Sequence, residues 1–486
     1  MQQLPSKTGA QQSSELLSTA HPRRLGILHI VMIVLAASCA IGSAVLVLAV
    51  SNTSPDESYR LHLFSLALTC GAIIVAGAGI KLDFFHPASV IALLFFVVFG
   101  LGSIRHFESG SPNAAQIVFF ANIGVWSFAI SNWLLSSGVH FRTTPPKMND
   151  FAISTLLRIY LWCLVGTAAL ATVYIYIKVG IPALSENGLV SRLAARQEVT
   201  SYIVYLTRMS QFAVYFFFVL ALATRERSMY ILAFILFAFV LAINLTMGWR
   251  GPAFFILITL VFIFNYATAQ KHTFLVTALI STTVFGALIW GYLRLVVYST
   301  STEIGALTFI QATSSDNLSM FLHWGSLQFS NYVAGFQQVI ALKEANPDVF
   351  DATVFQYTLS TLLPGQQMSF DQTLKLLSYN TFEGDGLNAT LLGEAYADLG
   401  SAGIALYCAG FGALSGLTYK RVCDRQSHFR LIEHGFVMSV LILGTLTGIF
   451  GQAIYWVLAF TLLGARLTHR LGMQQTDRIS LLERRT

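Results

Sequence analysis

Long apolar runs recur along this chain, and they constrain its fold more than any other feature. A run of about 20 apolar residues is the length at which an α-helix crosses a bilayer. By that measure about twelve spans are expected: 25–50, 61–80, 87–104, 114–135, 151–179, 199–223, 229–246, 252–269, 273–293, 400–419, 435–450 and 452–467. The last two are short and meet at a tight turn over Gly448–Gly451, so one continuous helix is the alternative there. Only helices and closed barrels satisfy every backbone group inside lipid, and unbroken apolar runs of this length are helical. Composition agrees. Of 486 residues 55% are hydrophobic and only 11% charged, against about 25% charged in a water-soluble domain. The expected fold class is all-α: a polytopic integral membrane helical bundle with one large insertion.

The basic residues orient the bundle. With the N-terminus inside, most of the 29 Lys and Arg fall on one side, from Lys7, Arg23 and Arg24 through Lys81, Arg142, Lys147, Arg225, Arg227 and Lys271 to Lys420, Arg421, Arg425 and the C-terminal arginines. That is the positive-inside pattern. It accounts for the net charge of +6 without nucleic acid, since no basic run is interleaved with aromatics. The expected organisation is a cytoplasmic tail (1–24), spans one to nine (25–293), an outer loop (294–389), spans ten to twelve with their lead-in (390–467), and a cytoplasmic tail (468–486). The N-terminal stretch lacks the features of a signal peptide. No internal repeat stands out.

The outer loop is too long to be a mere connection. Its segment "NLSMFLHWGSLQFSNYVAGFQQVIAL" carries large apolar residues at helical spacing. Short helices half in the interface over the bundle mouth are expected.

Arginines that stand against the charge trend, on the outer side at or near span ends, include Arg192 and Arg196 in "SRLAARQ", Arg250 in "GWRGP" and Arg294 in "GYLRLVVY". A phosphate or pyrophosphate suits them, because the guanidinium fork is permanently charged and matches phosphate oxygens bidentately. Arg192 and Arg196 are i, i+4 and share a helical face. Gly248, Gly251 and Pro252 open the backbone beside Arg250, and the helix start after Pro252 favours an anion. Snorkelling to lipid phosphates is the alternative for each arginine, and a plain helical hairpin also explains the glycines and proline. Arg158 reads as a snorkelling residue. Arg208 lies deeper in its span, where pairing with a carboxylate is the alternative to function.

"GDGLNATLLGEAYADLGSAGIALYCAGFGALSG" enters the tenth span from outside. Glu394 and Asp398 are i, i+4. They suit hydrogen bonds to sugar hydroxyls or base work on an acceptor hydroxyl; an acidic helix start is the plain alternative. Gly400, Gly403, Gly410, Gly412 and Gly416 permit close helix packing. In the outer loop His323 and Trp324 form a sugar-facing candidate, beside the acids Glu303, Asp316, Asp371, Glu383 and Asp385. The five cysteines form no CxxC or Cys/His cluster, so no metal site or disulfide framework is expected. HExxH, Walker A and GxSxG are missing, which removes support for ATP-driven transport and the common hydrolases.

Three stretches carry a resemblance to a known family. They are "GWRGP"; "SNYVAGFQQVI" (330–340) with Tyr332 and its glycine; and "LNATLLGEAYADLGSAGI" (387–404), in its Thr390, Gly393, Glu394, Tyr396 and Gly400. With the layout of many spans and one large outer loop before the last few, the chain resembles the oligosaccharide repeat-unit polymerases, the O-antigen polymerase (Wzy-type) family of bacterial envelopes. The resemblance implies a GT-C-like glycosyltransferase in the bacterial inner membrane with its active site facing the periplasm. It would polymerise undecaprenyl-diphosphate-linked repeat units into a surface polysaccharide such as O-antigen, capsule or exopolysaccharide. Donor and acceptor glycans on that carrier, membrane lipid and a chain-length regulator protein would be its partners. Arg250, Arg294 and Glu394 are the expected catalytic residues. Arg192, Arg196, His323, Trp324, Tyr332 and Asp398 are expected to bind substrate. No cofactor and no metal are expected. An O-antigen ligase shares the donor and makes a single transfer. A flippase or transporter of lipid-linked glycan would instead need charges deep in the spans and pseudo-symmetric halves.

Overall fold

A computed structural model describes residues 27–49, 54–80, 83, 85–137, 153–181, 199, 201–247, 250–268, 317–350, 352–361, 368–380 and 387–483. Its regular structure is all helical, with no strand among the described residues. In order the helices are α1 (Ile27–Ala49), α2 (Pro55–Ile80) and α3 (Pro87–Phe95). A π-helical turn (Phe96–Leu101) runs α3 into α4 (Gly102–Glu108). Next come α5 (Ala114–Leu135), α6 (Thr155–Val179), α7 (Ser201–Met209), α8 (Gln211–Thr224), α9 (Arg227–Thr246) and α10 (Arg250–Ala267). The rest are α11 (Asn317–Ala345), α12 (Val354–Thr361), α13 (Phe370–Tyr379), α14 (Thr390–Asp424), α15 (His428–Thr447) and α16 (Ala453–Glu483).

Eight helical segments among the described residues are long and apolar enough to cross a membrane. Two further expected spans appear as shorter apolar helices, Val34–Leu46 and Gly251–Ala267. The last expected span is the first half of α16, and 273–293 lies outside the described residues. Between α15 and α16 the chain turns at Gly448–Gly451 rather than running on as one helix.

α14 is the axis of the packing, lying along α5, α15 and α11. Lipid offers no hydrophobic drive for helices to associate, so close contact depends on small residues and polar pairs. Here both operate. A Cβ on Gly412 would meet the Phe128 carbonyl oxygen at 2.2 Å, and one on Gly416 that of Asn132 at 2.6 Å. Between them the Asn132 amide donates to Ser415 Oγ at 2.8 Å.

A second lock joins α1, α2 and α5. The Asn122 amide donates to Ser65 Oγ at 2.6 Å, and Thr69 Oγ1 donates to Asn122 Oδ1 at 2.8 Å. Ser43 Oγ bridges Ser65 and Thr69 at 2.7 and 2.6 Å. With Thr69 committed to the amide oxygen, Ser43 in this ring of contacts donates to Thr69, and Ser65, which accepts from Asn122, turns its own proton to Ser43, whose hydroxyl and carbonyl oxygens both lie within reach. All four residues are buried, and the ring leaves no hydroxyl unpaired in hydrocarbon.

Contacts sort the turns between helices into two ends. At the cap end α11 is tied to the α4–α5 turn by Gln337 to Ser111 Oγ at 2.7 Å, and to α4 by His106 Nε2 and the Ser330 carbonyl at 2.9 Å. At the base Asp83, fully buried, accepts from the Phe85 N–H at 2.8 Å and the Tyr266 hydroxyl at 3.0 Å. Gln426 donates to the Tyr266 carbonyl there at 3.0 Å. The loop segment expected to form short interfacial helices instead forms one 29-residue helix, α11. Val333, Phe336, Val339 and Ile340 are completely buried. The close approach has a plain cause: Gly102 lies where a Cβ would be 2.9 Å from the Phe329 carbonyl oxygen.

Asn122→Ala opens the ring and leaves Thr69 and Ser65 each short of a partner. The expected loss is about 1–2 kcal/mol, read as a lower unfolding temperature of the detergent-solubilised protein, with Thr69→Val giving a smaller drop.

Candidate functional site at the cap end

The cap end gathers most of the candidate residues that the structure describes, and the lead-in to α14 organises them. α14 is two helices merged across a break. Leu399 (φ −131°, ψ 15°) and Gly400 (φ 62°, ψ −146°) leave helical geometry. Gly400 occupies a region closed to other residues. Residues 390–398 therefore form a separate lead-in above the spanning part. Thr390 opens it at φ 66°, strained for a β-branched residue, and its Oγ1 accepts from the Gly393 N–H at 3.3 Å.

Glu394 is fully buried. Its Oε2 accepts from the N–H groups of Ile449 at 2.6 Å and Phe450 at 2.9 Å, and Oε1 from that of Gly451 at 2.6 Å. These are donors that the α15–α16 turn leaves without helical partners. The turn wraps the carboxylate closely. A Cβ on Gly448, whose φ is 83°, would lie 2.2 Å from Oε1, and one on Gly451 would lie 2.7 Å from it. Both oxygens of Glu394 are thus engaged by backbone, away from any open surface.

Asp398 faces a different neighbour. Its Oδ1 accepts from the Val354 N–H at 2.7 Å, holding the first turn of α12. Its Oδ2 accepts from the Tyr407 hydroxyl across the break in α14. Lys343, near the end of α11, donates to the Ala397 carbonyl at 2.6 Å and so caps the lead-in with a cation at its C-terminal end. On α13, Asp371 accepts from the Gln452 amide through Oδ2 at 2.8 Å, and its carbonyl accepts from the Leu387 N–H at 3.0 Å.

Of the other expected residues, Arg250 is the first residue of α10 at this end, and His323 and Trp324 lie early in α11. The side chains of these three lie outside the described part, as do Arg192, Arg196 and Arg294 altogether. Tyr332 is half-buried on α11 against the main core. Sequence reasoning misses Tyr455 and Gln452, names Asp371 only among the loop acids, and sees Arg208 only as a charge deep in its span. Arg208 ends α7 within Coulombic reach of the Tyr455 hydroxyl, as are Glu394 and Asp371. One signal could have drawn attention to Asp371: the capping box "SFDQ", in which Ser369 and Gln372 pair reciprocally and fix the first turn of α13, where Asp371 lies. Among the described residues no cluster of three or more His, Cys, Asp or Glu is placed to hold a metal ion.

Compared with protein-family models, curated proteins and solved structures, the chain matches none. The geometry defines a helical membrane protein with a capped end built around one buried carboxylate.

Glu394→Ala strands three turn N–H groups in a buried place, with an expected cost of about 3–5 kcal/mol. Glu394→Gln, which keeps one acceptor oxygen, falls between it and wild type in thermal unfolding. Gly448→Ala, through its φ and its approach to Glu394, lowers stability in the same assay while Gly410→Ala, with nothing near its Cβ position, does not.

Proposed function

We propose that the chain is a membrane glycosyltransferase of GT-C-like type with about twelve spans. It extends a surface polysaccharide from undecaprenyl-diphosphate-linked repeat units at the periplasmic face of the bacterial inner membrane. One observation carries the reading. Two of the segments that carry the family resemblance, 330–340 and 387–404, pack directly on one another at the end where α10 begins with Arg250. A Cβ on Gly335 would meet the Asn388 carbonyl oxygen at 1.7 Å, and one on Gly393 would meet Phe336 Cα at 3.4 Å. Segments that share a family pattern and also share a contact are the pieces of one site.

In the reaction the acceptor hydroxyl oxygen bonds to the anomeric carbon of the donor glycan. The bond from that carbon to the carrier diphosphate breaks, and the diphosphate leaves with the electron pair. The hydroxyl proton passes to solvent or to the leaving group. Arg250 and Arg294, with Arg192 and Arg196, hold the diphosphate and stabilise its developing charge. Holding two lipid-borne reactants together supplies much of the rate. Glu394 enters as a positioning residue: with both oxygens on the α15–α16 turn it sets the height of the lead-in rather than taking the acceptor proton. Tyr332, His323, Trp324 and Asp398 belong to the glycan side of the cap.

The test mixes purified protein in nanodiscs with lipid-linked repeat units and reads the products by gel ladder and mass spectrometry. A ladder that persists in chelator is expected. Arg250→Ala loses it, with a rate drop on the order of 10²–10³-fold for one lost charge-stabilising donor. Arg142→Ala, in a loop on the other side, keeps it. A normal ladder from Arg250→Ala removes the arginine assignment. A single transfer to an added lipid core, with no ladder, replaces polymerase by ligase.

A further inference from the structure

The lipid-facing surface of α16 does not stop where the helix does. Phe460, Leu463 and Leu467 are exposed at 64%, 51% and 50% and fall on one stripe at helical spacing. In a membrane-spanning chain such a stripe meets hydrocarbon. One turn from Phe460 toward the cap stands Trp456, a residue type that collects at the membrane–water boundary. The Phe355 ring of α12 lies 5.4 Å from the Trp456 ring and 6.4 Å from that of Phe450. Phe355 is 39% exposed and Leu359, one turn further, 46%.

α12 carries apolar residues on both faces. Val354 and Thr358 turn inward, with 0% and 1% exposure, while Phe355 and Leu359 point out beside Gln356. The orientation is fixed, because Asp398 holds the Val354 N–H and Trp456 backs the Phe355 ring. A short helix fixed at the cap end of an exposed apolar stripe, with Phe355 and Leu359 outward and continuous with that stripe, matches the interfacial layer of a bilayer.

We infer that α12 is seated in the membrane surface on the cap side, with Phe355 and Leu359 among the lipid chains, and that it moors the cap helices to the bilayer. The partner is lipid rather than protein because the patch continues the exposed apolar stripe of the last expected span. The inference stands apart from the proposed activity. It gives the interfacial role expected of the outer loop to α12, whereas the described part of α11 is core.

Collision accessibility of a nitroxide tests this in lipid nanodiscs. Cys39 and Cys163 are replaced by alanine, the other three cysteines being buried, and single labels are placed through Leu359→Cys, Phe460→Cys and Asp348→Cys. Phe460 is the lipid reference and exposed Asp348 the water reference. The expected result is an oxygen-to-nickel-chelate collision ratio at 359 several-fold above that at 348 and approaching that at 460. A ratio equal to that at 348 means the helix stands in water and overturns the inference. Protection from both reagents means protein covers the face and overturns it equally. Gln356→Cys, a polar position on the same face, gives the same reading if Leu359→Cys folds poorly.

Discussion

A turn between two membrane helices exposes backbone donors where water is scarce, and the α15–α16 turn meets that demand with one carboxylate. Glu394 supplies two oxygens to three successive N–H groups. A buried carboxylate is costly unless hydrogen-bonded, and buried N–H groups are costly unless paired. Each problem here removes the other. The lead-in of α14 is thereby fixed against the end of α15, and α11, α12 and α13 are placed from the lead-in through Lys343, Asp398 and the Asp371–Leu387 contact. The base repeats the device with Asp83, which holds the turn before α3 to α10. Both carboxylates bind elements distant in sequence at places where helices end.

The sequence made the class plain and the site only half so. Apolar run length located the long apolar helices because lipid imposes that length directly, and it missed α11, α12 and α13 in the outer loop. The glycines of α14 read as packing residues, and Gly412 and Gly416 do approach α5 backbone, while Gly410 meets nothing and Gly400 makes the break. Glu394 and Asp398 read as one pair on one helical face. Spacing was right, but Glu394 meets the α15–α16 turn, 55 residues away at the nearest, and Asp398 meets Val354 of α12, 44 residues away, besides Tyr407 across the break. Sequence spacing reports which residues share a face and is silent about what that face meets. For the same reason Arg208 read only as a deep charge and Asp371 only as one loop acid among several, since their significance comes from neighbours on other helices. The arginines 192, 196 and 294 lie outside the described residues, so their place beside the cap rests on chain order and charge.

The cap is also better tied than a loop needs to be for stability alone. The lead-in touches α11 through glycine on both sides, Gly335 against Asn388 and Gly393 against Phe336. Such contacts leave no room for adjustment, since interiors are close-packed and respond to a single methyl group. A binding surface on rigid helices is more precise than one on free loops. On the proposed reading, that rigidity suits a reaction whose main demand is to hold two long lipid-borne molecules in register.

Rigidity extends to the helix that carries Arg250. α10 packs along α15, with a Cβ on Gly435 due to meet the Thr259 carbonyl oxygen at 3.0 Å. Thr259 and Ser439 also share a hydrogen bond of 2.7 Å. α15 ends in the turn that Glu394 closes. A continuous run of close contacts thus leads from the lead-in, through the turn and α15, to α10 and its first residue. On the proposed reading, that path explains why a carboxylate with no free oxygen belongs at a glycosyl-transfer site. Its oxygens are committed to backbone, and the backbone they fix belongs to the scaffold of Arg250, the residue proposed to meet the diphosphate. A residue of this kind shows itself in the placement of others, so changes at Glu394 and at Arg250 act on one structure and should not add.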